Sequence, residues 1–214
     1  MTNTEKAMFV VKELKKAYPT PRCTLNFSNP LELLIAIRLS AQCTDERVNK
    51  VTPALFSNYR TLEDFASAKP KDIEKYIYSC GFYKTKSENI VNMCKDIINK
   101  FGGIIPDNME GLLSLPGIGR KTANLFLGEV YGKAALVVDT HFTKVTKRVG
   151  FHDTKDPFKI EMIMLNYIPP EESLNFCHRV VEHGRKICTA HSPNCNVCCL
   201  KKVCNYFKKI SKSS

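Results

Sequence analysis

With 214 residues, the chain is long enough to bury a core without disulfide support, as one large domain or two small ones. Its composition, 43% hydrophobic and 25% charged, excludes wholesale disorder, and no apolar run approaches the roughly 18–20 residues of a membrane span. Thirty-two Lys and Arg against 21 Asp and Glu leave a net charge of +11, which favours a polyanionic partner.

The patterning is helical almost throughout. Met8, Val11, Leu14 and Tyr18 recur at helical spacing, and Pro19 and Pro21 stop that helix. Its charges, Glu5, Lys6, Lys12 and Glu13 among them, interrupt the apolar stretch a signal peptide would need. Asn29-Pro30 caps and starts a second helix through Leu33, Leu34, Ile37 and Leu39. Thr44-Asp45 caps a third, with Val48, Val51, Leu55 and Phe56 on its inner face. Shorter helices fit residues 62–66 and 71–78. Gly81 then breaks the chain before a longer helix carrying Ile90, Met93, Ile97 and Ile98, closed by Gly102, Gly103 and Pro106. Residues 109–113 form another short helix, a tight turn follows at 115–119, and a helix runs from about residue 120 to 130. Asp139 caps the next, through Val145 and Val149, and two more fit residues 158–167 and 171–186. No stretch alternates with period two, so the expectation is an all-α protein of two packed helical parts.

Ten cysteines without an export signal point to a reducing compartment, where thiols are free or bound to metal. Cys23, Cys43, Cys80, Cys94 and Cys177 sit singly in apolar or helical patterns and read as small core residues. The other five crowd into residues 184–214 with Arg185, Lys186, Lys201, Lys202, Lys208, Lys209 and Lys212, and no acidic residue. Cys188, Cys195, Cys198 and Cys204 are spaced C-x6-C-x2-C-x5-C, so one short loop can grip a metal ion or cluster. Zinc is the competitor, but its sites usually show two tight pairs; the wide outer gaps here favour iron–sulfur. Cys199 is the surplus thiol, and exchanging it for Cys198 would leave gaps of three and four. His191, inside the loop, reads as structural.

The second constellation is central. Residues 112–124 place a helix, a hairpin with Gly117 and Gly119 two apart, and a second helix in succession. Such a helix start presents backbone N–H groups to phosphate, and the glycines let the backbone approach closely. This helix-hairpin-helix pattern grips the DNA backbone without reading sequence. A Rossmann turn is excluded by the missing strand and third glycine, and a P-loop by Arg120 standing where Gly-Lys-Ser/Thr would need lysine. Lys121 sits in the first helical turn, where a cation opposes the macrodipole. Phosphate is one reason for it; a nucleophilic amine, its pKa lowered by that field and by burial, is another. Asp139 serves as a cap, a catalytic carboxylate or both, since capping fixes the carboxylate rigidly.

The sequence Leu115-Pro116-Gly117-Ile118-Gly119-Arg120-Lys121-Thr122-Ala123-Asn124, followed by Val138-Asp139-Thr140-His141 and the four-cysteine loop, resembles the endonuclease III family of DNA glycosylases. The match extends through residues 39–45 and 81–83 and so covers essentially the whole chain. The resemblance implies two helical domains with a DNA cleft between them: residues 22–133, with the helix-hairpin-helix at about 112–131, and residues 1–21 plus 134–214, with the cluster loop at 188–204. It implies a bifunctional base-excision repair enzyme that flips oxidised pyrimidines out of duplex DNA. Lys121 would displace the base and form a Schiff base, with β-elimination cutting 3′ to the site, and Asp139 would assist base loss. Gln42 would fill the gap left by the flipped nucleotide. Pro116, Gly117, Ile118, Gly119, Arg120 and His141 would lie against DNA, the role of His141 being open. The four cysteines would hold a structural [4Fe-4S] cluster.

One departure is visible: Phe82 stands where bacterial relatives insert a leucine wedge, so it is either an aromatic wedge or a core residue. A monofunctional mismatch glycosylase of the same fold is the alternative, opposed by Lys121 and by the chain ending ten residues after Cys204. A non-catalytic DNA-binding module is another, opposed by Lys121 and Asp139 together. A monomer in the bacterial cytoplasm, acting at the nucleoid, is the remaining expectation, from the minimal length and the absent targeting segment.

Overall fold

The computed structural model describes residues 1–212; positions 213 and 214, the end of the expected second domain and basic tail, lie outside the described residues. The described residues form helices, turns and irregular segments with no strand, and none of the helices is long and apolar enough to cross a membrane. The chain divides into two compact units, Cys23–Gly132 and Met1–Arg22 with Lys133–Ser214.

In the Cys23–Gly132 unit the helices begin where local capping chemistry begins them. Helix α2 (Pro30–Ser40) starts with Pro30 in its first turn and the Asn29 side chain accepting from the Glu32 N–H at 3.0 Å. Its residues Leu33 to Ile37, with Leu39, are buried, so it is a central core helix rather than an amphipathic one. Thr44 caps α3 (Asp45–Asn58), and a reciprocal capping box of Thr61 and Asp64 starts α4 (Leu62–Ser67). Helix α5 (Pro70–Ile77) runs into a 3-10 turn, Tyr78–Cys80, and Gly81 separates that turn from α6 (Tyr83–Phe101). Helix α6 ends on Gly102 in the left-handed conformation. It packs on α4 and α5 and also meets α2, while α2 packs on α3 and on α8 (Arg120–Tyr131). The short α7 (Met109–Leu113) is capped by Asn108 and leads into the hairpin.

The other unit joins α1 (Asn3–Ala17), which opens with a Thr2/Glu5 capping box, to four C-terminal helices. These are α9 (Thr140–Val149), α10 (Pro157–Leu165), α11 (Ser173–Lys186) and α12 (Asn205–Ile210). Helix α11 packs against α9 and α1, and α12 against α9. The extended segment leading to Asp139 is tied to α11 at two points: Ala135 N–H donates to Ser173 Oγ at 3.0 Å, and Val137 N–H to Cys177 Sγ at 3.1 Å.

Three details differ from the sequence reading. Helix α11 starts at Ser173 rather than residue 171, because Pro170–Glu172 form a separate 3-10 turn. Helix α12 was not expected: six residues are too few to show periodicity, and tertiary contacts hold it, with the Arg148 guanidinium 4.7 Å from the Tyr206 ring centre. Of the five scattered cysteines, Cys80, Cys94 and Cys177 are buried, but Cys23 and Cys43 are only half-buried.

Gly150, which ends α9, has φ +98°, and a Cβ placed there would run into the Asn205 side chain on α12. Gly132 ends α8 with φ +61° and has open space around it. Gly132→Ala should therefore cost about 1 kcal/mol of backbone strain, and Gly150→Ala about 1–3 kcal/mol. Thermal unfolding of both variants checks this, with the larger loss of Tm expected at Gly150.

Candidate functional site

The hairpin between α7 and α8 is a chain of short-range turns. Leu115 N–H donates to Leu112 O, and Ile118 N–H to Leu115 O at 3.2 Å. Ile118 therefore spends its amide inside the turn and its side chain in the core, and its place in the site is to fasten the hairpin. Gly117 has φ +78°, and its α-carbon lies so close to the Arg38 and Asn89 side chains that a Cβ would come within 2.6 Å of Asn89 Oδ1. Arg38 and Asn89 form the seat for this turn: Arg38 donates to Asn89 Oδ1 from Nε at 3.1 Å and from Nη2 at 2.7 Å.

Gly119 is different. Its φ is −106°, ordinary for any residue, and a Cβ there would meet nothing within 4 Å. It is the N-cap of α8 and supplies no side chain to the amides of the first turn. A helix start without a side-chain cap that admits a close approach suits an anion. Arg120 and Lys121 occupy the first two helical positions, Arg120 half-buried and Lys121 exposed. The burial expected around Lys121 is thus not provided by the free chain. Pro116 is half-buried beside Leu115, which is in the core.

Gln42 and Phe82 share an unusual backbone. They are the two non-glycine residues with positive φ among the described residues, at 53° and 46°. Left-handed backbone costs an ordinary side chain of this kind about 1 kcal/mol or more. Both side chains are exposed, Phe82 at 67%, so Phe82 is not the core aromatic that was its alternative reading. A large aromatic held in water on a strained turn gains nothing from the folded core.

Asp139 caps α9: its Oδ1 accepts from the Phe142 N–H at 2.7 Å, which fixes the carboxylate. His141, in the first turn of α9, is half-buried against Gly184 of α11, with 3.0 Å between its Cβ and the place a Gly184 Cβ would take. Its Nδ1 is buried without a hydrogen-bond partner.

Cys188, Cys195, Cys198 and Cys204 line one cavity, together with Arg148 and Tyr206. Cys199 is half-buried and is not among the lining residues. Burial pushes the Cys198 thiol up to about 12 and raises Cys195 as well, so bare thiolates are disfavoured there unless a cation joins them. Two polar side chains from distant parts of the chain reach the sulfurs. Arg148 Nη1 lies 3.3 Å from Cys188 Sγ and also donates to Thr189 O at 2.7 Å, while Nη2 donates to Ala190 O at 2.8 Å. His183 Nε2 is 3.4 Å from Cys198 Sγ, and its Nδ1 is 3.1 Å from the Tyr18 hydroxyl. Burial pushes His183 down to about 4, so its ring is neutral at neutral pH and joins the Tyr18 hydroxyl to the Cys198 sulfur, one ring nitrogen carrying the proton. Reading the sequence singled out neither Arg148 nor His183, since nothing local marks them as neighbours of the loop.

A family model described as HhH-GPD superfamily base excision DNA repair protein matches residues 35–170. Endonuclease III of Synechocystis sp. is 42% identical over 201 residues, covering 94% of this chain and 92% of that protein. Endonuclease III of Escherichia coli (strain K12) is 36% identical over 208 residues, covering 97% and 99%. Among solved structures, a non-covalent endonuclease III–DNA complex superposes with TM-score 0.92 at 40% identity, covering 99% of this chain and 100% of that one. A trapped endonuclease III–DNA covalent intermediate gives the same figures.

Because neither backbone angle nor packing requires glycine at 119, Gly119→Ala should change stability by only about 0.5 kcal/mol. It should nonetheless weaken binding to duplex oligonucleotides, measured by titration over a series of salt concentrations, because a methyl group obstructs the approach of phosphate. Unchanged affinity would remove Gly119 from the interface.

Proposed function

From its membership of the endonuclease III family of helix-hairpin-helix base-excision repair proteins, we propose that this chain acts on oxidised pyrimidines, with Lys121 as nucleophile and Asp139 as its supporting carboxylate. The protein is a DNA-binding glycosylase with lyase activity. The observation that carries the residue assignment is the exposed Lys121 in the first turn of α8, two residues after Gly119, an N-cap that offers no side-chain acceptor.

The hairpin and the start of α8 hold the DNA backbone, which brings phosphate charge beside Lys121 and offsets the cost of a cation in that turn. The neutral amine attacks C1′ of the extruded nucleotide; the N–C1′ bond forms as the glycosidic bond breaks, and the base leaves with the bonding pair and takes up a proton. Asp139, held by its bond to Phe142 N–H, stabilises the positive charge that develops on the sugar. Ring opening yields a Schiff base between Lys121 and C1′. Loss of a C2′ proton then expels the 3′ phosphate by β-elimination, and water releases the lysine. Desolvation of Lys121 arises on closure against DNA, since the free chain leaves it exposed. Gln42 and Phe82, exposed on their strained turns, enter the duplex to hold it open, Phe82 as an aromatic wedge. His141 stands two residues after Asp139 in the first turn of α9.

The cysteine loop fits a [4Fe-4S] cluster. Four thiols line a common cavity. The wide outer gaps of the C-x6-C-x2-C-x5-C spacing suit the separated corners of a cubane better than zinc, whose sulfur ligands close to about 2.3 Å around one atom. When bound, the cluster supplies four iron–thiolate bonds that lock the loop. Arg148 directs an N–H at the Cys188 sulfur, His183 Nε2 lies against the Cys198 sulfur, and the exposed Lys201, Lys202, Lys208 and Lys209 present positive charge to the DNA backbone.

Borohydride reduction during reaction with abasic or thymine-glycol duplexes should trap a covalent protein–DNA adduct, and Lys121→Gln should abolish it. Asp139→Asn should slow base release by about 100-fold while leaving more of the lyase step. A wild type that cannot be trapped would sink the assignment of Lys121. For the loop, purified protein should contain about four irons and four acid-labile sulfides and be brown. Colourless protein with one zinc per chain would overturn the cluster, and Cys198→Ala should lose the colour with the metal.

A further inference from the structure

Helix α6 carries a lysine that is almost wholly withdrawn from water. Lys86 is 1% exposed, and its Nζ donates to two backbone carbonyls, Leu39 O and Cys80 O, each at 2.7 Å. Desolvation lowers its pKa, yet a buried amine of either charge state has to be given acceptors. A leucine or methionine would fill such a space with no such requirement, so packing alone does not account for the residue.

The identity of the two acceptors does. Leu39 is at the end of α2, three residues before Gln42; Cys80 ends the 3-10 turn, two residues before Phe82. These two turns contain the two non-glycine residues of positive φ among the described residues. Strained backbone persists only where the surroundings hold it, and Lys86 ties the start of each strained turn to one rigid helix. The Cys43 thiol is also near enough to raise the pKa of the Cys80 thiol, so the same two turns approach one another there. One helical turn along α6, Asn89 holds Arg38, and on that pair Gly117 of the hairpin is seated. Lys86 and Asn89 are three residues apart and so share a face of α6.

We propose that Lys86 is a positioning residue: its ammonium clamps the 39–43 and 80–82 turns to α6 and so sets the spacing and the left-handed backbone from which Gln42 and Phe82 enter duplex DNA. This rests on the assignment of Gln42 and Phe82 to the duplex made above. Lys86 touches no substrate, and acts through the two turns.

The test compares wild type, Lys86→Met, Gln42→Ala/Phe82→Ala and the triple variant, with Tm recorded for each. Methionine keeps the length and apolar stem and removes both hydrogen bonds. Single-turnover base release is measured on thymine-glycol duplex, extrusion by 2-aminopurine fluorescence beside the lesion, and borohydride trapping on an abasic site in single-stranded DNA. A single strand has no partner strand or stack for Gln42 and Phe82 to enter, so trapping there reads Lys121 without them. Lys86→Met is expected to lose about tenfold or more in duplex base release and extrusion while trapping on the single strand changes less than about twofold. The triple variant should be no slower than the double, since the clamp has nothing left to position. Additive losses, or equal losses on duplex and single strand, would overturn the proposal and leave Lys86 as general support. If the double variant loses duplex activity and Lys86→Met does not, the clamp falls alone. If the double variant loses nothing, the assignment of Gln42 and Phe82 falls and the clamp with it. Should Lys86→Met fail to fold, Lys86→Gln, which keeps an N–H donor on a shorter stem, goes through the same assays with the same outcomes.

Discussion

An ammonium group carried out of water must recover its hydrogen bonds inside the protein, and the Cys23–Gly132 unit is arranged around that requirement. Lys86 recovers them from the carbonyls of Leu39 and Cys80, which belong to segments far apart in sequence. Once those carbonyls are fixed to α6, the turns that follow them have little freedom left. Gln42 and Phe82 are carried in left-handed backbone that neither side chain favours by itself. Asn89 extends the same face of α6 to Arg38, and thereby to the hairpin at Gly117. A single helix therefore serves as the reference for three turns, which expose Gln42, Phe82 and Gly117.

The unit formed by Met1–Arg22 and Lys133–Ser214 solves a different problem. Four thiols within one short loop have to be held apart around a common cavity, and their burial opposes carrying bare charge. The loop has little core of its own. It leans on α9 through Arg148, whose guanidinium donates to Cys188, Thr189 and Ala190 and also lies over Tyr206. It leans on α11 through His183, whose neutral ring links Tyr18 to Cys198. Net charge then takes its meaning from position, because the lysines of this segment are exposed around a loop that their own charges could not stabilise.

The helix starts are where local structure bears on the proposed chemistry. Asp139 is a sound N-cap by any standard of helix formation, and the same bond that starts α9 immobilises a carboxylate. Gly119 is the reverse case: the N-cap of α8 leaves its amides without a side-chain acceptor, and neither φ nor crowding explains why glycine is there. A helix start left incomplete in this way is informative, because natural sequences are locally consistent except where function intervenes. Lys121 in the adjoining turn breaks the same local rule. Its exposure also corrects the expectation that burial within the chain alone would adjust its amine.

The all-helical class, the caps at Asn29, Thr44 and Asp139, and the hairpin with its paired glycines are all legible in the order of residues. So is the grouping of four cysteines. Each of these depends on residues within a few positions of one another, where capping, turn geometry and ligand spacing can be read directly. Helix α12, the strained turns at Gln42 and Phe82, the buried clamp of Lys86 and the reach of Arg148 and His183 to sulfur were decided only by the tertiary structure. Lys86 looks like any solvated lysine in a helix until α2 and the 80–82 turn surround it. Its partner Leu39 is 47 residues away, and His183 is separated from Tyr18 by 165. Burial of a polar group, and the bonds that make it tolerable, are properties of segments brought together by folding, and no local pattern carries them.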